Sequence, residues 1–206
     1  SVAFAGCESL THVKLPDLVK EISTNVFQDC KSLKSITIPD TVTRIDQGAF
    51  LHSGLERIII PPSVKELGDR AFLRCEALTE VNFSEGLEVI GMSTFEFCKQ
   101  LTSISLPKTL KSVGFSSFAN TALETVIMPS SVEQINGQIF GRTESLSRVY
   151  YGGDAERFAD LIDRFTSKPD HMNNLFTDAQ IFYYSEEEPS ESGNYWHYVD
   201  GVPVAW

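Results

Sequence analysis

Leu33-Lys34-Ser35-Ile36-Thr37-Ile38-Pro39-Asp40-Thr41-Val42-Thr43-Arg44-Ile45-Asp46-Gln47-Gly48-Ala49-Phe50 is most of one turn of a pattern that recurs along most of the chain. Ile36 and Ile38 flank Thr37, the alternation of a strand with one buried face. Pro39 has no N–H to give to a neighbouring strand and ends the ladder. The segment Val42-x-x-Ile45 is too short for an ordinary helix, so it reads as an extended or bridging piece on the opposite wall. Gly48-Ala49-Phe50, like Gly68-Asp69-Arg70-Ala71-Phe72 one turn later, predicts a single helical or 3₁₀ turn leading back to the next strand.

Outward from this stretch, the phenylalanine becomes a column: Phe4, Phe27, Phe50, Phe72, Phe95, Phe118 and Phe140, spaced 22 or 23 residues apart. A second column is leucine every time: Leu10, Leu33, Leu55, Leu78, Leu101, Leu123 and Leu146. Three residues on stand Val13, Ile36, Ile58, Val81, Ile104, Val126 and Val149, and two further come Leu15, Ile38, Ile60, Phe83, Leu106, Met128 and Tyr151. A strand once per coil, always in the same sense, builds one parallel sheet. A single coil cannot cover its own apolar faces, so the coils must stack. The fold expected is a mainly β repeat solenoid, a right-handed coil over residues 1–151 with seven repeats, the first partial.

Leu-x-x-Val-x-Leu-Pro, then Val-x-x-Ile, then Ala-Phe-x-x-Cys resembles the BspA-like leucine-rich-repeat family. That resemblance implies a leucine-rich-repeat solenoid. It also implies a bacterial cell-surface protein engaged in adhesion, with no single defined ligand.

All four cysteines, Cys7, Cys30, Cys75 and Cys98, stand three residues after the anchor phenylalanine. Ser53, Thr121 and Thr143 fill the same slot elsewhere. The spacing matches no zinc motif, and side chains in register point in parallel rather than towards one another. The column therefore reads as a buried small-residue slot in which cysteine acts as a compact hydrophobe. Another column, Leu18, Thr41, Ser63, Gly86, Thr109 and Ser131, is rich in hydroxyls that can bond turn backbone.

Residues alternating with the buried strand positions form an outward face, where repeat proteins usually meet partners. The candidates there are Arg57, Ile59, Glu80, Asn82, Thr125, Ile127, Arg148 and Tyr150, with aromatic and arginine side chains as the anchors. The ligand expected there is a protein or a glycan, with nothing in the sequence choosing between them.

The repeat stops after Tyr151. In residues 152–184, Asp154 is a helix N-cap. Phe158, Leu161, Ile162 and Phe165 then follow at helical spacing, with Glu156, Arg157, Asp160, Asp163 and Arg164 opposite. This helix, stopped by Pro169, is expected to cap the last coil, and Gln180–Tyr184 to add a strand. Residues 185–206 comprise an acidic linker, Ser185 to Ser192, and a hairpin turned at Asp200-Gly201. Pro203 marks an edge strand. The hairpin aromatics Tyr195, Trp196, Tyr198 and Trp206 either pack on the solenoid or form a secondary site. A single-copy resemblance to the hairpins of bacterial cell-wall-binding repeats implies stacking on a sugar or choline for the second of these.

The net charge of −11 argues against nucleic acid and anionic membranes. No apolar run suits membrane insertion. His12, His52, His171 and His197 are scattered, without a nucleophile or carboxylate motif. No catalytic residue, metal ligand or cofactor is expected. The reading is a non-catalytic binding or adhesion module at the cell surface or outside the cell. Its alternative is a structural or intracellular interaction scaffold. The chain starts in mid-repeat, so upstream sequence is expected. The molecule is read as a monomer whose uncapped N-terminal coil permits end-to-end contacts.

Overall fold

The computed structural model describes residues 3–166 and 179–206. Pro169 and His171 lie outside the described residues, and so does the side chain of Phe165. The chain winds as a mainly β solenoid. One wall is a six-stranded parallel ladder of two-residue strands: β1 (Glu21–Ile22), β2 (Arg44–Ile45), β4 (Glu66–Leu67), β6 (Val89–Ile90), β8 (Ser112–Val113) and β10 (Gln134–Ile135). These are the Val-x-x-Ile segments, and each ends on a core residue from Ile22 to Ile135. The opposite wall holds β3 (Arg57–Ile60), β5 (Glu80–Phe83), β7 (Ser103–Ser105), β9 (Thr125–Met128) and β11 (Arg148–Tyr151).

Two features of that wall differ from the expected continuous sheet. His12–Leu15 and Ser35–Ile38 carry no strand, although Ile36 and Ile38 are buried around an exposed Thr37. Alternating burial thus persists where ladder bonds do not form. The strands also fall into two groups: β3 pairs with β5, whereas β7 pairs with β9 and begins a separate six-stranded sheet.

The anchor phenylalanines stack through the core as a column of rings. Successive centroids are 5.2 to 5.7 Å apart and the planes are tilted by 2° to 24°, a spacing that matches offset aromatic packing. Their backbone corrects one expectation: the segment around each anchor is not a helical or 3₁₀ turn. Left-handed residues sit two before the anchor (Asn25, Arg70, Ser93, Ser116) and two after it (Asp29, His52, Arg74, Phe97, Asn120, Arg142). This geometry aims alternate amides along the solenoid axis. Asn25, Phe27 and Asp29 donate to the carbonyls of Gln47, Ala49 and Leu51 at 2.8 to 3.0 Å, and Gly48, Phe50 and His52 repeat the pattern on the next coil. Inter-coil bonding here outweighs the strain of a positive φ at non-glycine residues.

Both small-residue columns also bond between coils. The thiols of Cys30, Cys75 and Cys98 donate to the carbonyls of Phe4, Phe50 and Phe72 at 3.2, 3.1 and 3.4 Å, and Thr143 Oγ1 donates to Phe118 O at 3.0 Å. The slot therefore selects a small donor as well as a small volume, and all four cysteines are free. Thr41 Oγ1 donates to Val19 O, Thr109 Oγ1 to Leu87 O and Ser131 Oγ to Leu110 O, at 2.7 to 2.8 Å.

Beyond the coils, α1 (Ala155–Thr166) begins where Asp154 Oδ1 accepts the amide of Arg157 at 2.8 Å. It lays Phe158 and Leu161 into the main core. Strand β12 (Gln180–Tyr184) pairs parallel with β11, and β13 (Tyr195–Val199) pairs parallel with β12. Strand β14 (Val202–Ala205) returns antiparallel and forms the sheet edge. Both Asp200 and Gly201 have positive φ, as a two-residue hairpin turn of matching twist requires.

Candidate binding face

The outward residues of the solenoid sheet form two columns in register. Arg57 lies beside Glu80, and Thr125 lies between Ser103 and Arg148. In the second column Ile59 lies beside Asn82, and Ile127 between Ser105 and Tyr150. Arg57, Glu80, Asn82 and Arg148 are exposed, and Ile59 leaves 63% of its surface in water. Asn82 Nδ2 donates to Glu80 Oε1 at 2.7 Å, which orients the two side chains on the face. Thr125 and Ile127 are half-buried.

Tyr150 corrects the expectation of an exposed anchor, since only 7% of it is accessible. Phe182 stacks on it at 5.1 Å and Trp196 meets it edge-on at 5.4 Å. The sheet continues through β12 and β13: Phe182 is in register with Tyr150, Trp196 is in register with Tyr184 on the same outward side, and together Phe182 and Trp196 cover Tyr150. Trp196 is itself only 1% exposed, so it too is removed as a free contact.

The four hairpin aromatics do not form one site. Tyr195 and Trp206 lie on the opposite side of the hairpin from Trp196 and Tyr198, because successive strand residues alternate. Trp206 is exposed and stacks on His197 at 3.7 Å. Tyr198, on the outward side, is 41% exposed and packs edge-on to Trp196 at 4.9 Å. Tyr184 joins them, 36% exposed and 5.3 Å from Trp196. These rings wall a cleft of about 250 Å³, whose other sides include Ile127, Lys108 and Ser130. The cleft thus joins one member of the sheet-face set, Ile127, to two of the hairpin set. Tyr184 and Lys108 were not singled out from sequence. The period of two through Phe182 and Tyr184 was the available signal, since it places both on the side of Tyr150. Burial holds the Tyr198 phenol above its ordinary pKa, helped by the nearby Tyr184 and Glu85, so it remains a neutral hydroxyl.

A larger cleft of about 410 Å³ lies between α1 and the last coil, lined by Glu133, Asp154, Arg157, Asp160 and Arg164 among others. Its basic groups are already engaged: Arg157 Nε donates to Ser130 O at 3.0 Å, and Arg164 pairs with Asp160 at 3.7 Å. The described histidines sit apart in role. His12 is exposed, His52 pairs with Asp29 at 2.9 Å, and His197 stacks on Trp206. Among the described residues no group of His, Cys, Asp and Glu is arranged to hold a metal ion, and no helix is long and apolar enough to cross a membrane.

A coil of 22 or 23 residues with a strand wall, a bridging wall and a packed apolar interior defines a leucine-rich-repeat protein. Residues 1–98 match the BspA type leucine rich repeat region, in six copies. A leucine-rich repeat protein from Bacteroides ovatus ATCC 8483 is 26% identical over 73% of this chain and 51% of its own, with a TM-score of 0.56. The leucine rich repeat protein of T. pallidum is 27% identical over 57% of this chain and 58% of its own, with a TM-score of 0.55. A leucine rich cell surface protein from Faecalibacterium prausnitzii A2-165 matches more loosely, at 22% identity over 78% of this chain and 65% of its own, with a TM-score of 0.46. No curated protein sequence matches the chain. The chain spans between half and two thirds of the length of these solved relatives.

Proposed function

We propose that this chain is a non-catalytic ligand-binding or adhesion module of a bacterial cell-surface or secreted protein, taking a protein or glycan partner on the outward face of its parallel sheet. The observation that carries the reading is Ile59: a large aliphatic side chain, 63% exposed, between Arg57 and the Glu80–Asn82 pair. Arginine beside an exposed apolar group is a common make-up for an interface centre. The sheet backs onto a filled core, so the face offers contact area rather than a reaction chamber. Surface display rests on the family resemblance drawn from the repeat motif.

The test is a binding screen of residues 1–206 against extracellular matrix proteins and glycans, run beside Arg57→Ala/Ile59→Ala. A saturable partner lost in the double variant supports the reading. A screen in which no partner is lost in the double variant overturns it.

A further inference from the structure

The cleft between the C-terminal hairpin and the last coils has the composition of a saccharide site. Its wall is a contiguous aromatic surface. Tyr184, Trp196 and Tyr198 have centroids 4.9, 5.3 and 6.3 Å apart, with planes inclined at 49° to 72°. Tyr184 and Tyr198 are the exposed members, and Trp196 is the buried support between them. Around this wall stand polar groups with no partner of their own: the Lys108 ammonium, the Ser130 hydroxyl, and the Tyr184 and Tyr198 phenols, none of which makes a side-chain hydrogen bond or ion pair among the described residues. Lys31, Lys34, Lys99 and Lys111 are ion-paired with the coil before or after, whereas Lys108, like Lys14 and Lys20, has no ion pair among the described residues; of these three, Lys108 is the one that lines the cleft.

We propose that this cleft binds one saccharide ring, its apolar C–H face on Tyr184 and Tyr198 and its hydroxyls on Lys108 and Ser130. The proposal deepens the reading of the chain as a binding module by naming a ligand class and a second contact surface. Three properties separate a sugar from other occupants. A quaternary ammonium needs rings set apart around it; here the rings touch one another, and Lys108 at the rim repels a cation. An extended peptide would pair with an open strand edge; β9, β12 and β13, which supply Ile127, Tyr184, Trp196 and Tyr198, each have strand neighbours on both sides. Recognition must therefore come from side chains alone. A pyranose has an apolar face and a polar rim, which matches a ring wall edged by hydroxyls and one amine, and about 250 Å³ accommodates one such ring. The neutral Tyr198 phenol can both donate to and accept from a sugar hydroxyl.

The experiment is a printed saccharide array, with immobilised choline as an added spot, probed by residues 1–206 and three variants: Tyr184→Ala/Tyr198→Ala, Lys108→Ala and Arg57→Ala/Ile59→Ala. Far-UV circular dichroism and the denaturation midpoint verify that each variant is folded, and Lys108→Ala alters only an exposed side chain. The expected result is binding to a saccharide that weakens about tenfold or more in the first two variants and is unchanged in the third. Saccharide binding lost only in Arg57→Ala/Ile59→Ala overturns the cleft while leaving the sheet-face module standing. Choline binding through the tyrosines overturns the ligand class. An array on which no saccharide binds overturns the proposal outright, whatever protein partner the sheet face takes.

Discussion

The indole N–H of Trp196 donates to the backbone carbonyl of Tyr151 at 2.8 Å, joining the C-terminal hairpin to the last solenoid strand across 45 positions of sequence. Trp196 is 1% exposed and covers the outward ring of Tyr150. It therefore fastens the added strands at both the backbone and the side-chain level. Trp196→Ala should destabilise the chain by about 3–5 kcal/mol, the usual range for removing a buried tryptophan. Trp196→Phe keeps most of the ring burial and should cost about 1 kcal/mol or somewhat more for the lost hydrogen bond. Urea denaturation measures both. Equal losses for the two variants would show that the ring area is not what holds the hairpin.

Buried thiols give the protein a defined alkaline weakness. Cys75 is pushed up to about 12 by burial, with Ser53 pulling it partly back, and Cys98 is raised well above 9.0 by burial. A thiol whose folded pKa exceeds its unfolded value binds its proton more tightly in the native state. Its contribution is fully present below the unfolded pKa near 9.0 and is lost as pH rises towards the folded one. Stability should therefore fall between about pH 9 and 12, by up to about 1.4 kcal/mol per pH unit for each such group. Burial also raises the phenols of Tyr151, Tyr183 and Tyr198, which act with the same sign. Cys75→Ser keeps a small donor towards Phe50 O and removes one titrating group, so its urea midpoint should decline less steeply over that range. An identical slope in the parent and the variant would remove Cys75 from the explanation. In the native protein at neutral pH, a thiol reagent should label the exposed Cys7 first.

How much of this was legible before the structure depended on whether the cause was local. The leucine and phenylalanine columns announced the coil because each repeat buries the same positions. Asp154 and Asp200-Gly201 announced a helix start and a hairpin because capping and turn geometry act within four residues. The left-handed pairs around each anchor left only a partial trace, in Asn25, Asp29, Gly48, His52 and Asn120. Arg70, Arg74 and Phe97 carry no turn signature, and what holds them is a bond to the neighbouring coil. Tyr150 was placed on the correct side of its strand, but what covers it comes from Phe182 and Trp196, beyond the end of the repeat. Period-two alternation assigns a face; it does not state what later chain will lie on it.

Two glycines should fail for different reasons. A Cβ at Gly114 would lie 2.5 Å from both Gly91 C and Met92 N, backbone atoms of the preceding coil. Gly114→Ala must push two coils apart, and a cost of about 1–3 kcal/mol is expected from overpacking. At Gly201 nothing lies within 4 Å, but φ is +79°. Gly201→Ala should cost about 1 kcal/mol through conformation alone, and Gly201→Asn should recover much of it because asparagine tolerates the left-handed region. At position 114 asparagine, larger than alanine, should be worse. Thermal melts of the four variants give the comparison, and recovery by asparagine at both positions would contradict the steric account of Gly114.

The free edge of the sheet is β14, and its register explains the place of its proline. Trp206 N donates to Tyr195 O at 3.0 Å, so in this antiparallel pair Val202, Val204 and Trp206 turn their amides towards β13. Pro203 and Ala205 face outward. Proline thus occupies an edge position that would otherwise offer an N–H to another chain, on a strand whose valines are exposed. Edges blunted in this way resist pairing with a second sheet. Pro203→Thr restores the outward donor and adds a β-branched residue. The variant should associate at lower protein concentration than the parent while its denaturation midpoint changes little. Light scattering across a concentration series reads this directly: superimposable curves for parent and variant would mean that the edge is already closed by something other than Pro203.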